Sequence, residues 1–416
     1  MQLHSLLRLI TVGLFVMVWL LVLPSVLRQP LSATLAGDAI GYSDPAKYLI
    51  TKGMYTLDGN VPTYEREPGQ SVFLAGLYLL FGIENRTAAF AGEAILYLLT
   101  SFLFIRELER WTSKRASTIC FVILLALPPA FQLTFTLLRE SLTLSLMLLL
   151  MTLLLRLLRS PSLGSALLVG ALLTGMIFTT MAFVFLPLVL VPALLFYRIP
   201  ARLTVPILLI PFLMVSFWSL RSYRGIGHVC LSGCYRPAAM WYVRGEQAEK
   251  LTDLEPLRCL WSEYISRDWT GRSEACSYNS LMHGKWKTPE QVVDHNANVV
   301  IAREGQRKVL AHFGGYLWDS LFEIFELHIP YVHSWGRIYN VLTALSSLVL
   351  YIGSFLAFSL WFRKPWNLFF VIMLYATFVF SLTDATPRYL VPVLFCYVTF
   401  AALGYDRLLA RIRPLN

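Results

Sequence analysis

Ten stretches of this 416-residue chain are apolar for close to the length that a helix needs to cross a bilayer, and that repeated length limits the fold more than any other feature. A crossing takes roughly 20 residues, because the hydrocarbon is about 30 Å thick and each helical residue rises about 1.5 Å. The stretches lie at about 8–27, 86–105, 117–135, 138–158, 163–180, 181–197, 203–219, 338–362, 366–383 and 387–405. An eleventh, Ser71 to Gly82, is too short to span and follows Pro68-Gly69, so it is expected to be interfacial or re-entrant. Hydrophobic residues make up 56% of the chain and charged ones only 14%, whereas soluble domains are about a quarter charged. Disorder, a collagen or coiled-coil rod and an ordinary cytosolic enzyme are thereby excluded. The expected fold class is an all-α polytopic membrane protein of about ten transmembrane helices, with re-entrant or juxtamembrane helices in its first outer loop.

The formal charge of +10 has a position. With the N-terminus in the cytoplasm, every inner connection is basic: Arg8; Arg106, Arg110, Lys114 and Arg115; Arg156 and Arg159; Arg198 and Arg202; Arg363 and Lys364; Arg407, Arg411 and Arg413. These 14 cations face only Glu107, Glu109 and Asp406, a net +11, while the outer segments balance at 21 of each sign. This is the positive-inside pattern, and it places both termini in the cytoplasm. A bacterial inner membrane is the expected location, membrane lipids are expected partners, and nucleic acid is not. Residues 1–27 are read as a retained span in preference to a cleaved signal peptide, because the apolar run is long and Arg28-Gln29-Pro30 interrupts the approach to a cleavage site.

Two outer segments are long. The expected divisions are an N-terminal transmembrane module over 1–219 that carries a first outer loop at 28–85, an outer subdomain at 220–336, and a C-terminal transmembrane module at 337–416. Four of the six cysteines, Cys230, Cys234, Cys259 and Cys276, lie in the second loop. An even set on the outer side points to disulfides in an oxidising compartment; a zinc site ranks behind, since the spacing lacks paired knuckles.

Polar residues at the outer ends of spans carry the functional signal, because ionisable groups near lipid face the protein interior or water. Asp38 and Asp44 follow the first span, Arg66 precedes Pro68-Gly69, Arg139-Glu140 interrupts an apolar run, and Asp384 and Arg388-Tyr389 head the last span. Carboxylates and guanidiniums from three parts of the chain suit a phosphate-bearing lipid. Asp44, followed by Pro45, reads as a helix N-cap. Asp38, between Gly37 and Gly41, has no such role and is the expected catalytic base. Glu93 lies inside a span, where it either reaches the same cavity or bonds a neighbouring helix as the neutral acid.

The run Gly37-Asp38-x₃-Tyr42-x₃-Ala46-x₂-Leu49-x₃-Gly53-x-Tyr55, then Tyr64-Glu65-Arg66-Glu67-Pro68-Gly69, then Leu137-Leu138-Arg139-Glu140 and late Pro387-Arg388-Tyr389, resembles membrane glycosyltransferases of the GT-C superfamily. Those are similar to dolichyl-phosphate-mannose protein mannosyltransferases and to the aminoarabinose transferase that modifies lipid A. Two departures stand out: Arg66-Glu67-Pro68-Gly69-Gln70-Ser71 replaces an Arg-Pro-Pro-Gly-Tyr-Pro-like run, and Ala39 follows Asp38 where many members have a second acid.

The resemblance implies inverting transfer of a sugar from a polyprenyl-phosphate donor to a glycan, lipid or protein acceptor, at an extracytoplasmic site. Arg66, Arg139, Arg388 and Tyr389 would meet the donor phosphate, Asp38 would take the acceptor proton, Tyr42 and Glu93 would orient the acceptor, and Glu140 would either orient it or hold Arg139 in an ion pair. A divalent cation is left open. Two alternatives compete: an O-antigen polymerase or ligase using lipid-diphosphate glycans, and a flippase or transporter, for which the midplane polar residues and internal repeats are lacking.

Overall fold

The computed structural model describes residues 3–29, 39–64, 66–231, 241, 244–245, 248, 295–328, 337–383 and 387–412. Within them the chain is helical. The helices are α1 (Leu3–Leu27), α2 (Ile40–Lys52), α3 (Gly69–Phe81), α4 (Arg86–Leu108), α5 (Lys114–Ala126), α6 (Pro128–Leu133), α7 (Arg139–Arg159), α8 (Leu163–Thr179), α9 (Leu186–Phe196), α10 (Ala201–Ile226), α11 (His295–Ala311), α12 (Phe313–Leu327), α13 (Arg337–Leu356), α14 (Trp366–Thr383) and α15 (Leu394–Ile412). A 3₁₀ segment, Pro387–Val393, leads into α15.

Among the described residues, α1, α4, α7, α10 and the stretch Tyr389–Arg411 containing α15 are long and apolar enough to cross a membrane, and α3, α8, Met181–Phe196, Val341–Leu356 and Trp366–Leu382 are shorter apolar helices. Long apolar helices in this number indicate an integral membrane protein.

Local chemistry sets the helix ends. Asn85, Ser113 and Ser162 cap α4, α5 and α8 by accepting the backbone N–H three residues on. The expected continuous span over 117–135 is broken instead: α5 stops before Pro128-Pro129, and α6 restarts there with proline in its first turn. Likewise 181–197 is a 3₁₀ turn, Met181–Phe183, followed by α9.

α7 is the central element, packed against α4, α8 and the 3₁₀ segment. Its leucines and methionines, from Met147 to Leu157, are largely buried on every side, as a helix apolar all round requires. α1 lies at the edge, with Leu9 62% and Leu21 72% exposed, a surface suited to lipid. Arg8 holds α1 to the bundle, donating to Glu109 (3.0 Å), Ser117 (2.8 Å) and Thr118 (3.1 Å). With Arg110 and Arg159 on Glu107 and Arg115 on Asp406, it forms a basic end of the bundle. The N-terminus of α7 lies at the opposite end.

Candidate functional site

At that opposite end, the segment between α2 and α3 lies against the first turn of α7. Gly53, at φ +65°, closes α2 in the left-handed region that glycine tolerates. Asp58 then builds a tight turn, accepting from the backbone N–H of Asn60 (2.8 Å) and Val61 (3.1 Å) and from the Thr56 hydroxyl (2.9 Å). The buried Tyr55 hydroxyl donates to the carbonyls of Arg66 and Glu67, both at 3.3 Å, and so fixes the backbone from which those side chains project. Gly69 lets α3 meet the end of α8: a Cβ there would fall 2.5 Å from Thr179 Oγ1 and 2.7 Å from the Phe178 carbonyl.

The result is a buried polar cluster. Glu67 Oε1 accepts from Arg139 Nη1 at 2.9 Å and from the Met181 backbone N–H at 3.3 Å. Arg139 Nε lies 3.6 Å from Glu140 Oε1, and all three side chains are buried. The Arg139 guanidinium also stands 5.5 Å from the Tyr389 ring centre, while Arg66 stands 5.1 Å from that of Tyr42. Tyr42 is the hub. Burial pushes its phenol up to about 12 against the pull of Arg139 and Arg66, so at neutral pH it is an uncharged hydrogen-bond donor facing two cations. Gly41 makes room for this, since a Cβ there would meet Arg66 Nε at 2.6 Å.

One step deeper, Gln70 Nε2 donates to Glu93 Oε1 (2.7 Å) and to the Leu137 carbonyl (3.2 Å), and Leu137 takes the left-handed φ of 51° just before α7. Glu93 is therefore tied to the α3 side of the cluster by Gln70.

The structure thus brings Tyr42, Arg66, Arg139, Glu140, Glu93 and Tyr389 to one end of the bundle; Tyr389 is buried and stacked on Phe380. Asp38 lies outside the described residues, as does the side chain of Arg388, whose backbone belongs to the 3₁₀ segment. Of the loop cysteines, Cys230 is buried beside the end of α10, its N–H donating to Ser222 Oγ at 3.0 Å, while Cys234, Cys259 and Cys276 lie outside the described residues. Asp44 is not an N-cap. α2 begins at Ile40, because Ala39, Tyr42 and Ser43 are buried in the cluster wall, and this leaves Asp44 inside the helix, half-buried, with its carboxyl pushed up by that burial.

Sequence reasoning missed Glu67 and Gln70 as functional positions. Their signal was present, because both belong to the run that departs from the GT-C pattern; the polar residues at those places are the ones that engage Arg139 and Glu93. It missed Arg244 as well. Arg244 is buried on the Tyr316 ring, pairs with Asp319, and donates to Ser320 Oγ (2.6 Å) and the Ser381 carbonyl (3.1 Å). With Tyr316 donating to the Leu382 carbonyl at 2.8 Å, it ties α12 to the end of α14, close in sequence to Tyr389.

Among the described residues no group of three or more His, Cys, Asp or Glu is placed to hold a metal ion, and Glu67 and Glu140 both face Arg139.

Neither a protein-family model nor a curated protein matches the sequence. Among solved structures, the apo oligosaccharyltransferase of Archaeoglobus fulgidus aligns at a TM-score of 0.53 and 11% identity, over 99% of this chain and 51% of that one. This chain therefore spans about half the length of that enzyme. ArnT from Cupriavidus metallidurans aligns both bound to undecaprenyl phosphate and in the apo state, each at a TM-score of 0.40 and 18% identity, over 96% of this chain and 79% of that one. The structural neighbours are GT-C membrane glycosyltransferases, and the first of them shares the fold.

Proposed function

We propose that the protein is an inverting glycosyltransferase that moves a sugar from a polyprenyl-phosphate carrier to an acceptor on the extracytoplasmic side of the membrane. The observation that carries this reading is the buried cluster of two guanidiniums and two carboxylates around Tyr42, at the end of the bundle opposite the basic connections. The fold shared with an oligosaccharyltransferase supports it by analogy.

The acceptor oxygen or nitrogen attacks the anomeric carbon from the face opposite the phosphate. The carbon–oxygen bond to phosphate breaks, its electron pair leaves with the prenyl phosphate, and the acceptor proton passes to Asp38, a transfer worth about 10²–10⁴-fold in rate. Arg66, Arg388 and Tyr389 meet the phosphate as charge develops on it. Arg139, whose charge is taken up by Glu67 and Glu140, holds those carboxylates and backs the Tyr389 ring. Tyr42, Glu140 and Glu93 line the acceptor side. Topology completes the proposal: about ten crossings, cytoplasmic termini in a bacterial inner membrane, and disulfides among Cys230, Cys234, Cys259 and Cys276 in the outer loop.

The test is transfer from a synthetic prenyl-phosphate sugar by the purified protein. Product with inverted configuration is expected, and Asp38→Asn should lower kcat at least 100-fold, the lower end of the general-base range. Transfer only from diphosphate-linked donors, or full activity in the variant, would refute the donor class or the base respectively.

A further inference from the structure

Arg221, on the last turns of α10, is half-buried and contrasts with the arginines whose charge a carboxylate meets. Arg8, Arg110, Arg115, Arg139, Arg159 and Arg244 each have a carboxylate within ion-pair distance. Among the described residues Arg221 has neither such a carboxylate nor a hydrogen-bond partner for its solvent-shielded Nη1. Its guanidinium is nevertheless held firmly, 4.5 Å from the Tyr64 ring centre and 4.6 Å from that of Trp218. Gly225, one turn on, permits this clamp, because a Cβ there would strike Tyr64 Oη at 1.9 Å.

The clamp is continuous with the cluster described above. Trp218 packs on Phe178 and Tyr55, and Tyr55 is the residue that fixes the Arg66 and Glu67 carbonyls. Tyr64 stands two residues before Arg66 in the same segment. A shielded guanidinium donor without an acceptor costs free energy unless a ligand supplies one. A guanidinium recognises a tetrahedral or planar oxyanion through paired N–H groups.

We propose that Arg221, clamped between Tyr64 and Trp218, binds a phosphate ester at the rim of the buried cluster. The choice of a lipid-borne phosphate rests on the transferase reading; the oxyanion chemistry does not.

Binding of farnesyl phosphate, farnesol and inorganic phosphate to the full-length protein in detergent, followed by calorimetry, tests it. Farnesyl phosphate should bind and farnesol should not, and Arg221→Gln should weaken farnesyl phosphate at least tenfold. Arg221→Lys, which keeps the charge and loses the fork, should fall between, and Arg224→Gln, an exposed arginine on the same turn, should leave binding unchanged. Melting temperature and elution volume establish that each variant is folded; if Arg221→Gln does not fold, Arg221→Lys decides. Inorganic phosphate binding as tightly as farnesyl phosphate, and lost in the Arg221 variant, would assign the site to free phosphate and keep the chemistry. Unchanged affinity in that variant, equal weakening by Arg224→Gln, or no binding of either phosphate by the native protein would overturn the proposal. Arg221-dependent binding in a protein that transfers no sugar would sink the transferase reading alone.

Discussion

The two ends of the helical bundle use the same side chains for different ends. At the basic end, Arg8, Arg110, Arg115 and Arg159 meet Glu109, Asp406 and Glu107 in pairs whose arginines stay partly open to solvent; the Arg8 side chain is 21% exposed and Glu109 is 26%. At the site end, Arg139 and Glu67 are 4% and 3% exposed. Exposed pairs are screened and worth little. A buried pair is costly to assemble and more costly to split, because the survivor is an uncompensated charge. The solvent-open pairs of the basic end thus tolerate substitution, with the buried Glu107 as the exception, whereas the site end is a polar core inside an apolar bundle.

Splitting the buried pair should show this contrast most strongly. Glu67→Ala should cost roughly 3 kcal/mol, at the lower end for a buried pair because Glu140 stays near Arg139. Glu67→Gln should cost less, since an amide oxygen still accepts from the Met181 N–H. Thermal melting in detergent measures both, and a loss under about 1 kcal/mol in Glu67→Ala would erase the distinction between the two ends.

Arg244 gives an intermediate case with a pH signature. Burial raises the Asp319 carboxyl above its ordinary range and Arg244 opposes the rise. A raised acid destabilises the fold when ionised, so removing Arg244 should make the protein gain stability as Asp319 takes up a proton. Arg244→Ala should lose about 2 kcal/mol at about pH 8 and recover part of it toward about pH 5. A loss that stays constant with pH would show that packing on Tyr316 outweighs the ion pair.

At the basic end, Arg8→Ala should cost only about 1 kcal/mol despite three hydrogen bonds, and added salt should shrink the difference. An effect as large as that of Glu67→Ala would make the two ends equivalent.

The smallest effect belongs to Asp58, an exposed carboxylate at the site end. Hydrogen bonds from the Asn60 and Val61 N–H groups, then from Thr56, lower it from 3.8 to about 2. Its contribution is complete above 3.8 and fades as pH falls through about 2. Asp58→Ala should speed hydrogen exchange at Asn60 and Val61 and leave the Glu67 cluster intact; unchanged exchange would show that the Thr56–Pro62 bridge holds the turn alone.

Much of the fold was legible in the sequence because its signals are local. Runs of apolar residues marked the helical segments, and proline pairs such as Pro128-Pro129 carried the break that the span estimate passed over. The site was half legible. Arginines and carboxylates interrupting apolar runs were visible as exceptions, but a position such as Glu67 reads as one more polar residue in a loop until its partner is known.

The sequence by itself determined an apolar, all-helical chain, the polar residues that would be costly in lipid, and the segments that cluster them at one end. Each of those follows from composition over a few adjacent residues, and the free energy of burying them is roughly additive. Only the tertiary structure decided which charge meets which. Glu67 and Arg139 are 72 residues apart, and Arg244 reaches the Ser381 carbonyl 137 residues away. Whether a guanidinium ends on a carboxylate or, like Arg221, between two rings depends on how helices from distant parts of the chain pack.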